Sequence, residues 1–394
     1  MIRFSDRIKN LSGAATREIL KLTQRPEVIS FAGGMPATEC LPCETIAEIS
    51  AELLSDKARA AKILQYGRTE GVPELNDALV EYLKGLGLDA DLSNIQVISG
   101  GQQGLDLMCK AFVNTGDVVL VENPTYLAFL QIAKTYEAKL VGVKSADVGL
   151  DLDDLEQKLE KYSPKLLYMV PTFSNPTGKT YSAADREGIA ELCARYGTVV
   201  IEDDPYGRLR YDGDDVPLMK SFDKCGNVVY ITSFSKTVAP GLRVAAAHGA
   251  PEIIRKLSIG KQGTDVQSPA LTQMIVAEYL KRGYFRPNVQ KSLSVYRSRR
   301  DAMLAALDRY MPECVRFTRP SGGLFVWLTL PEDIDCAALL PRALEQNVAY
   351  IQGCEFFCDG SGRNTARLNF SNSDEEKIDR GIKILSEIFK SALI

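Results

Sequence analysis

The chain has 394 residues, and 47 Lys and Arg against 51 Asp and Glu give a formal net charge of −4. Hydrophobic residues make up 45% and charged residues 25%, a balance typical of folded proteins and not of disordered ones. The slight acidity argues against a general nucleic-acid binder. No apolar run reaches the length of about 18 residues that a membrane span needs, and the charged first ten residues do not fit a signal peptide. We therefore expect a soluble, cytoplasmic protein.

The nine cysteines and one histidine argue against a metal centre. An odd number of cysteines, scattered along a long chain without an export signal, indicates free thiols. Cys40 with Cys43, and Cys354 with Cys358, could suggest a metal site, but zinc sites usually draw on two close cysteine knuckles or on several histidines, and His248 is the one histidine. We predict that His248, inside an apolar run, is a packed strand residue and that the chain binds no metal.

In chain order, the middle of the sequence alternates between strand and helix patterns. Helices are predicted at residues 105–113, 151–162 and 182–196. Short apolar runs predict strands at residues 95–99, 118–121, 166–170, 198–202, 228–233 and 244–247. Continuous apolar strands separated by helices predict an α/β fold with a mostly parallel sheet covered on both faces. Such sheets bind ligands at the carboxyl ends of their strands.

The pattern changes after about residue 287. A long amphipathic helix at 288–310 leads into strands and helices that alternate to the end of the chain. Strands are predicted at 324–330 and 366–370, and helices at 336–346 and 374–393. This tail predicts a smaller α+β domain, against which the N-terminal forty-odd residues pack. The predicted division is an N-terminal segment at 1–45, a large domain at 46–286 and a small domain at 287–394.

Two polar clusters with glycines or prolines follow predicted strands. The first runs from Gly100 to Gly104, where glycines allow close backbone approach and a helix start favours an anion such as phosphate. It has neither the Walker spacing nor the GxGxxG pattern, and a tight turn explains it about as well. The second places Asn175 before Pro176 and Gly178, which form a rigid turn that leaves the Asn175 amide projecting from a strand end.

Two charged clusters follow later strands. Residues 202–204 are three acids directly after a run that ought to be buried. Lys236 lies between Ser235 and Thr237 and is followed seven residues later by Arg243. A desolvated lysine has a lowered pKa and is a good nucleophile towards carbonyls, whereas the hydroxyls and Arg243 suit an anionic group. Each cluster alone is ambiguous.

In combination, these clusters resemble those of the fold-type I aminotransferases that use pyridoxal 5′-phosphate (PLP), and most of all the 2-aminoadipate/kynurenine-type branch of class I/II. The resemblance covers essentially the whole chain. Its markers lie at residues 31–36, 64–67, 99–104, 123–126, 174–178, 202–206, 233–236, 241–243 and 367–371. It implies a large PLP-binding domain and a smaller domain built from the N- and C-terminal segments.

The resemblance implies a role for each residue around the PLP ring. Lys236 would hold the cofactor as a Schiff base and then carry the proton between Cα and the C4′ carbon. Asp203 would pair with the pyridine nitrogen. Asn175 and Tyr206 would hydrogen-bond the 3′-oxygen, and Tyr126 would stack on the ring.

The resemblance also implies a phosphate site and a homodimer. The phosphate would lie on the N–H groups of Gly101 and Gln102, although some relatives carry a hydroxyl residue where this chain has Gly101. The remaining phosphate ligands would be Ser233, Ser235 and Arg243. Tyr66 would reach the phosphate of a neighbouring subunit, so the two active sites would be shared.

Four residues are implied to bind substrate: Asn175, which also contacts the cofactor, and Arg367, Gly34 and Arg17. Arg367 would hold the α-carboxylate in bidentate fashion, and Gly34 would meet the same group through its backbone. Arg17, in a segment that resembles a mobile N-terminal helix, would bind the distal carboxylate of 2-aminoadipate or glutamate; a solvated helix arginine explains it about as well.

The activity expected is ping-pong transfer of an amino group from an L-amino acid to a 2-oxo acid, with 2-oxoglutarate as acceptor. Acidic, aromatic and branched substrates all stay open. A PLP-dependent C–S lyase or decarboxylase on the same scaffold is the alternative. A regulator with an aminotransferase-like sensor is a remote one, because the aminotransferase pattern begins near Phe31 and leaves no room for a DNA-binding domain before it.

Overall fold

The structure is a computed structural model that describes residues 2–9, 25, 27–146 and 148–393. The described residues contain thirteen strands in three sheets. In chain order the strands are β1 (Ile29–Ser30), β2 (Ile95–Ile98), β3 (Val118–Asn123), β4 (Lys139–Lys144), β5 (Leu166–Met169), β6 (Val199–Asp204), β7 (Val228–Ser233), β8 (Ala245–His248), β9 (Arg316–Phe317), β10 (Phe325–Thr329), β11 (Val348–Ala349), β12 (Ile351–Gln352) and β13 (Thr365–Asn369).

The helices lie between the strands and at both ends of the chain. Their bounds are Asp6–Lys9, Cys43–Ser55, Lys57–Ile63, Pro73–Lys84, Gly101–Phe112, Leu127–Thr135, Leu152–Tyr162, Ala183–Arg195, Pro251–Gln262, Ala270–Lys281, Phe285–Tyr310, Cys336–Glu345 and Glu375–Ala392. Ser182 caps the helix that follows it and forms a capping box with Asp185. None of the helices in the described ranges is both long enough and apolar enough to cross a membrane.

The central sheet has seven strands in the order β2-β8-β7-β6-β5-β3-β4. Strands β3 to β7 pair in parallel, and β8 is antiparallel to both β2 and β7. Neighbouring side chains belong to different hydrophobic clusters: Leu166 and Tyr168 lie in one, Leu167 and Met169 in another. Because successive strand residues point to opposite faces, both faces of the sheet are covered. The predicted α/β fold with a mostly parallel sheet is confirmed.

Several element boundaries differ from the predictions. Strand β4 was not predicted, because this edge strand is partly exposed and contains Gly142. Strand β6 extends to Asp204, so the three acids lie inside the strand and are buried rather than following it. The helix after β2 begins at Gly101 and not at residue 105, since Gly100, with φ of +89°, turns the chain directly into it.

The C-terminal part of the chain forms an antiparallel sheet in the order β12-β13-β10-β9. The 26-residue helix Phe285–Tyr310 and the helix Glu375–Ala392 pack against each other. The N-terminal segment joins this part, because β1 pairs in parallel with β11. Phe31 adds two backbone hydrogen bonds of 2.8 Å, donating to Ala349 and accepting from Asn369. These contacts place residues 32–34 beside β13.

His248 is the packed strand residue that its apolar neighbours predict. It is buried in β8, and its ring Nε2 lies 3.2 Å from the Asp89 carbonyl oxygen. All nine cysteines are free thiols. Within the described ranges, no three His, Cys, Asp or Glu side chains are grouped so that they could hold a metal ion.

Candidate active site

A cavity of about 300 Å³ opens at the carboxyl ends of β5, β6 and β7. Its far wall comes from β10, β13 and the segment after β1. The cavity brings together predicted site residues from eight separate segments of the chain. These are Gly34, Gly101, Gln102, Tyr126, Asn175, Asp203, Tyr206, Ser233, Ser235, Lys236, Arg243 and Arg367. Because parallel strands end at one edge of the sheet, side chains distant in sequence meet there.

One end of the cavity is built to hold an anion. The helix Gly101–Phe112 begins there, and the first N–H groups of a helix have no partner within it. The Ser233 and Ser235 hydroxyls lie 3.0 Å apart. Arg243 donates to the Ser99 carbonyl at 3.2 Å, and its guanidinium lies so close to Gly100 that a Cβ there would be 2.6 Å from Arg243 Cζ. Amide, hydroxyl and guanidinium donors thus converge as a phosphate group requires.

Asp203 is a buried acid in the middle of the site. Its Oδ2 accepts a hydrogen bond of 2.9 Å from the Tyr168 hydroxyl. Burial raises the pKa of Asp203 to about 7, although the Tyr168 hydrogen bond acts in the opposite direction. The other oxygen, Oδ1, lies 3.9 Å from the position that a Cβ would occupy on Gly101. This oxygen is therefore available to a positively charged ligand group beside the anion site.

Lys236 is the amine of the site. Its Nζ donates to the Gly34 carbonyl oxygen at 2.7 Å. Burial, together with the nearby positive charges of Arg367 and Arg243, lowers the pKa of Lys236 to about 8. An amine with this pKa is partly neutral near pH 8 and can attack a carbonyl carbon.

Arg367, on β13, faces Lys236 from the far wall. Its Nη1 donates to Asn175 Oδ1 at 2.7 Å and its Nη2 donates to the Ala32 carbonyl. The guanidinium carbon lies 4.3 Å from the centre of the Phe325 ring and 4.9 Å from that of Phe356. Burial lowers the pKa of Arg367 to about 10, and its buried Nε has no hydrogen-bond partner among the described residues. An unpaired buried donor is costly, so this site favours a ligand carboxylate.

The remaining predicted residues lie around the middle of the cavity. Asn175 Nδ2 donates to the Tyr206 hydroxyl at 3.4 Å. The Tyr206 ring packs edge-on against Phe325 at 5.7 Å. Burial raises the pKa of Tyr206 and that of Tyr126, so both phenols stay protonated at neutral pH. Their roles toward a cofactor remain predictions.

The two other predicted site residues are Tyr66 and Arg17. Tyr66 does not line the cavity of its own chain, and its side chain is 81% exposed. Arg17 lies outside the described residues. Conversely, the sequence pattern does not single out Phe325, Phe356 or Tyr168, because a buried aromatic residue of the site is indistinguishable by pattern from ordinary core. Only the spacing of Phe325 after two glycines hints at close packing.

Comparison with known proteins agrees with this geometry. The family model described as "Aminotransferase class I and II" matches residues 26–385. Aromatic-amino-acid aminotransferase 1 of Thermococcus litoralis is 42% identical over 99% of this chain and 94% of its own length. The 2-aminoadipate transaminase of Thermus thermophilus is 40% identical over 97% of this chain and 95% of its own. The crystal structure of a Pyrococcus horikoshii kynurenine aminotransferase superposes with a TM-score of 0.95 at 41% identity, covering 99% of this chain and 98% of that one. The chain therefore belongs to the class I and II aminotransferase family.

Proposed function

We propose that Lys236, Asp203, Arg243 and Arg367 form the catalytic centre of a PLP-dependent transaminase that moves an amino group from an L-amino acid to a 2-oxo acid. The observation that carries the proposal is the buried Lys236 amine, with its pKa lowered to about 8, in one cavity with an anion site and a carboxylate. When bound, PLP supplies an aldehyde that condenses with amines and a ring that accepts electrons from the substrate Cα.

The protein groups fit PLP by their chemistry and position. The helix start at Gly101, the Ser233 and Ser235 hydroxyls and Arg243 would hold the phosphate. Oδ1 of Asp203 would accept a hydrogen bond from the protonated ring nitrogen of PLP. Gly104 lets the start of this helix lie tight against the sheet, because a Cβ there would come within 2.6 Å of Ile98 Cδ1.

Lys236 would also serve as the acid and base of the reaction. Its Nζ is the only amine that lines the cavity in the described part of the chain. A neutral Nζ can remove the proton from the substrate Cα. The ammonium group that results can then give that proton to the C4′ carbon. General acid–base catalysis is most effective when the pKa lies near the operating pH, and a pKa of about 8 meets this condition.

The substrate α-carboxylate would bind to Arg367. Its Nε has no hydrogen-bond partner in the described part of the chain, and its Nη2 donates to the Ala32 carbonyl, a bond that a carboxylate can replace. The only cations that line the cavity in the described ranges are Lys236, Arg243 and Arg367, and the cofactor and the α-carboxylate would use all three. A second, distal carboxylate would therefore need Arg17, whereas aromatic or branched side chains could pack against the aromatic and aliphatic walls. We propose broad specificity that includes aromatic amino acids.

We further propose that the enzyme is a cytoplasmic homodimer with shared active sites. Tyr66 is a large aromatic residue that is exposed and lies outside its own cavity, as expected of a side chain that completes a neighbour's site. The nine free thiols suit a reducing compartment. Light scattering of the full-length chain tests the dimer.

The experiment that tests the function is borohydride reduction of the PLP-loaded protein, followed by peptide mapping. We expect the reduced PLP adduct on the peptide that contains Lys236, and we expect no adduct in the Lys236→Ala protein. A label on another lysine would refute the site.

A panel of amino acids, followed by cofactor absorbance without a 2-oxo acid, separates the possible reactions. A transaminase converts the cofactor to its amine form once and stops. A lyase instead keeps releasing pyruvate and ammonia. Repeating the panel with Arg17→Ala tests acidic substrates, and unchanged 2-aminoadipate turnover would discard that role.

A further inference from the structure

Behind Asp203, away from the cavity, lies a tyrosine that none of the proposed steps uses. Tyr168 is on β5, adjacent to β6, and it is fully buried. Its hydroxyl donates to Asp203 Oδ2 at 2.9 Å. The ring of Tyr168 is stacked on that of Phe129, with centroids 3.9 Å apart and planes inclined by 13°. A strand and an aromatic stack thus hold the donor in one position.

The hydrogen bond determines which carboxylate oxygen faces the ligand. With Oδ2 held by Tyr168, rotation of the carboxylate is restricted, and Oδ1 stays on the side of Gly101. We propose that Tyr168 is a positioning residue for the reaction, which orients the Asp203 carboxylate toward the ring nitrogen of PLP and stabilises its ionised form. This inference rests on the proposed function.

The surroundings of Asp203 make this single donor important. Near enough to Asp203 to interact with it electrostatically are two further acids, Glu122 on β3 and Asp204, the next residue of β6, and two tyrosines, Tyr126 and Tyr206. None of these four groups is a cation. Within the described residues, Tyr168 is the one group that donates a hydrogen bond to the Asp203 side chain. Burial and the negative charge of Asp204 both favour the protonated form of Asp203, and the Tyr168 hydrogen bond opposes them.

These surroundings determine how removal of the Tyr168 hydroxyl would change the pKa of Asp203. The pKa of Asp203 is already raised to about 7. Removing the Tyr168 hydroxyl removes a group that lowers it, so the pKa rises further and a larger fraction of Asp203 is protonated at pH 7. A protonated acid cannot pair with a protonated ring nitrogen. The loss should therefore be greatest near neutral pH and smaller in alkaline solution, where the carboxylate ionises again.

The neighbouring strand offers a matched control. Tyr230 on β7 is buried and donates to Asp204 Oδ2, also at 2.9 Å. Asp204 accepts a second hydrogen bond of 2.7 Å from the Gly207 amide, and neither Asp204 nor Tyr230 lines the cavity. Tyr230→Phe and Tyr168→Phe thus delete the same atom in the same kind of buried pair, and only one of the pairs reaches the proposed cofactor site.

The test compares full-length wild type, Tyr168→Phe and Tyr230→Phe. Dissociation constants for PLP are measured by equilibrium dialysis from pH 6 to pH 9. For Tyr168→Phe we expect about tenfold weaker binding at pH 7, as for loss of a hydrogen bond to a charged group, with a difference that shrinks toward pH 9. Tyr230→Phe should stay within about twofold of wild type.

A second measurement requires no PLP. Infrared difference spectroscopy of the ¹³C-aspartate-labelled protein should show one carboxyl group that titrates near pH 7 in the wild type and about one pH unit higher in Tyr168→Phe. An unchanged titration, or equal losses of PLP affinity in both variants, would overturn the inference. Failure of the wild type to bind PLP at Lys236 would instead overturn the proposed function.

Discussion

Gly100→Ala is the most direct test of how the anion site is built. Gly100 has φ of +89° and ψ of 156°, a backbone conformation that residues with a side chain rarely adopt. The added methyl group would also lie 2.6 Å from Arg243 Cζ, so the guanidinium would have to move. The substitution therefore combines backbone strain with displacement of a proposed phosphate ligand.

The two contributions have separate magnitudes. Backbone strain of this kind costs about 1–3 kcal/mol of folding free energy. Loss of one hydrogen bond between charged groups costs about 1.5–3 kcal/mol of binding free energy, which weakens PLP binding about 10- to 150-fold. Gly116 serves as the control, because its φ is +86° and a Cβ there would meet no described residue within 4 Å. Gly116→Ala should show the loss of stability without the loss of PLP affinity.

The assay is a double-mutant cycle with Arg243→Ala, scored by PLP dissociation constants and by thermal unfolding. We expect Gly100→Ala to weaken PLP binding in the wild type and to add little when Arg243 is already absent, because both changes remove the same contact. Fully additive losses would refute the reasoning. So would a Gly100→Ala protein that binds PLP as tightly as the wild type.

Two further predictions concern the amine and the dimer. The rate at which the chain captures PLP should rise with pH and level off above about pH 8, because the reactive neutral form of Lys236 is then dominant; a rate that still climbs at pH 10 would indicate an ordinary lysine. Tyr66→Ala should leave thermal stability nearly unchanged, since the side chain is exposed, yet release PLP faster. Mixing Tyr66→Ala with Lys236→Ala subunits should restore activity, as one site per mixed dimer regains both residues; inactive mixtures would contradict shared sites.

The sequence was sufficient to locate the cavity, but it did not identify the buried residues that hydrogen-bond to the site residues from behind. Strand ends are recognisable because apolar runs stop there, and this placed Asn175 and Lys236 at one edge of the sheet. The α/β fold class followed from the alternation of apolar strand patterns with helix patterns along the chain. Roles for Arg367 and Tyr66 came from family resemblance, since an arginine in a strand or an exposed tyrosine has no distinguishing pattern.

The three acids at the end of β6 show why the remainder could not be predicted. Consecutive acids normally mark the end of a buried run, yet all three are buried because each has partners far along the chain. Glu202 accepts hydrogen bonds from the Met219 and Lys220 amides at 2.7 and 2.8 Å. Asp203 and Asp204 accept from tyrosines on the flanking strands. Such pairings depend on strand order, which a single sequence does not reveal.

The same burial shifts the two reactive groups in opposite directions, and this explains what the site selects. Burial raises the pKa of Asp203 to about 7 and lowers that of Lys236 to about 8, so each charged form is destabilised. Arg243 and Arg367 add positive charge around Lys236, whereas Asp204 adds negative charge beside Asp203. A ligand that is anionic at both ends and carries a protonated nitrogen between them would relieve all of these unfavourable interactions at once. PLP together with an amino acid is such a ligand, because its phosphate and α-carboxylate are the two anions and its ring nitrogen is the cation.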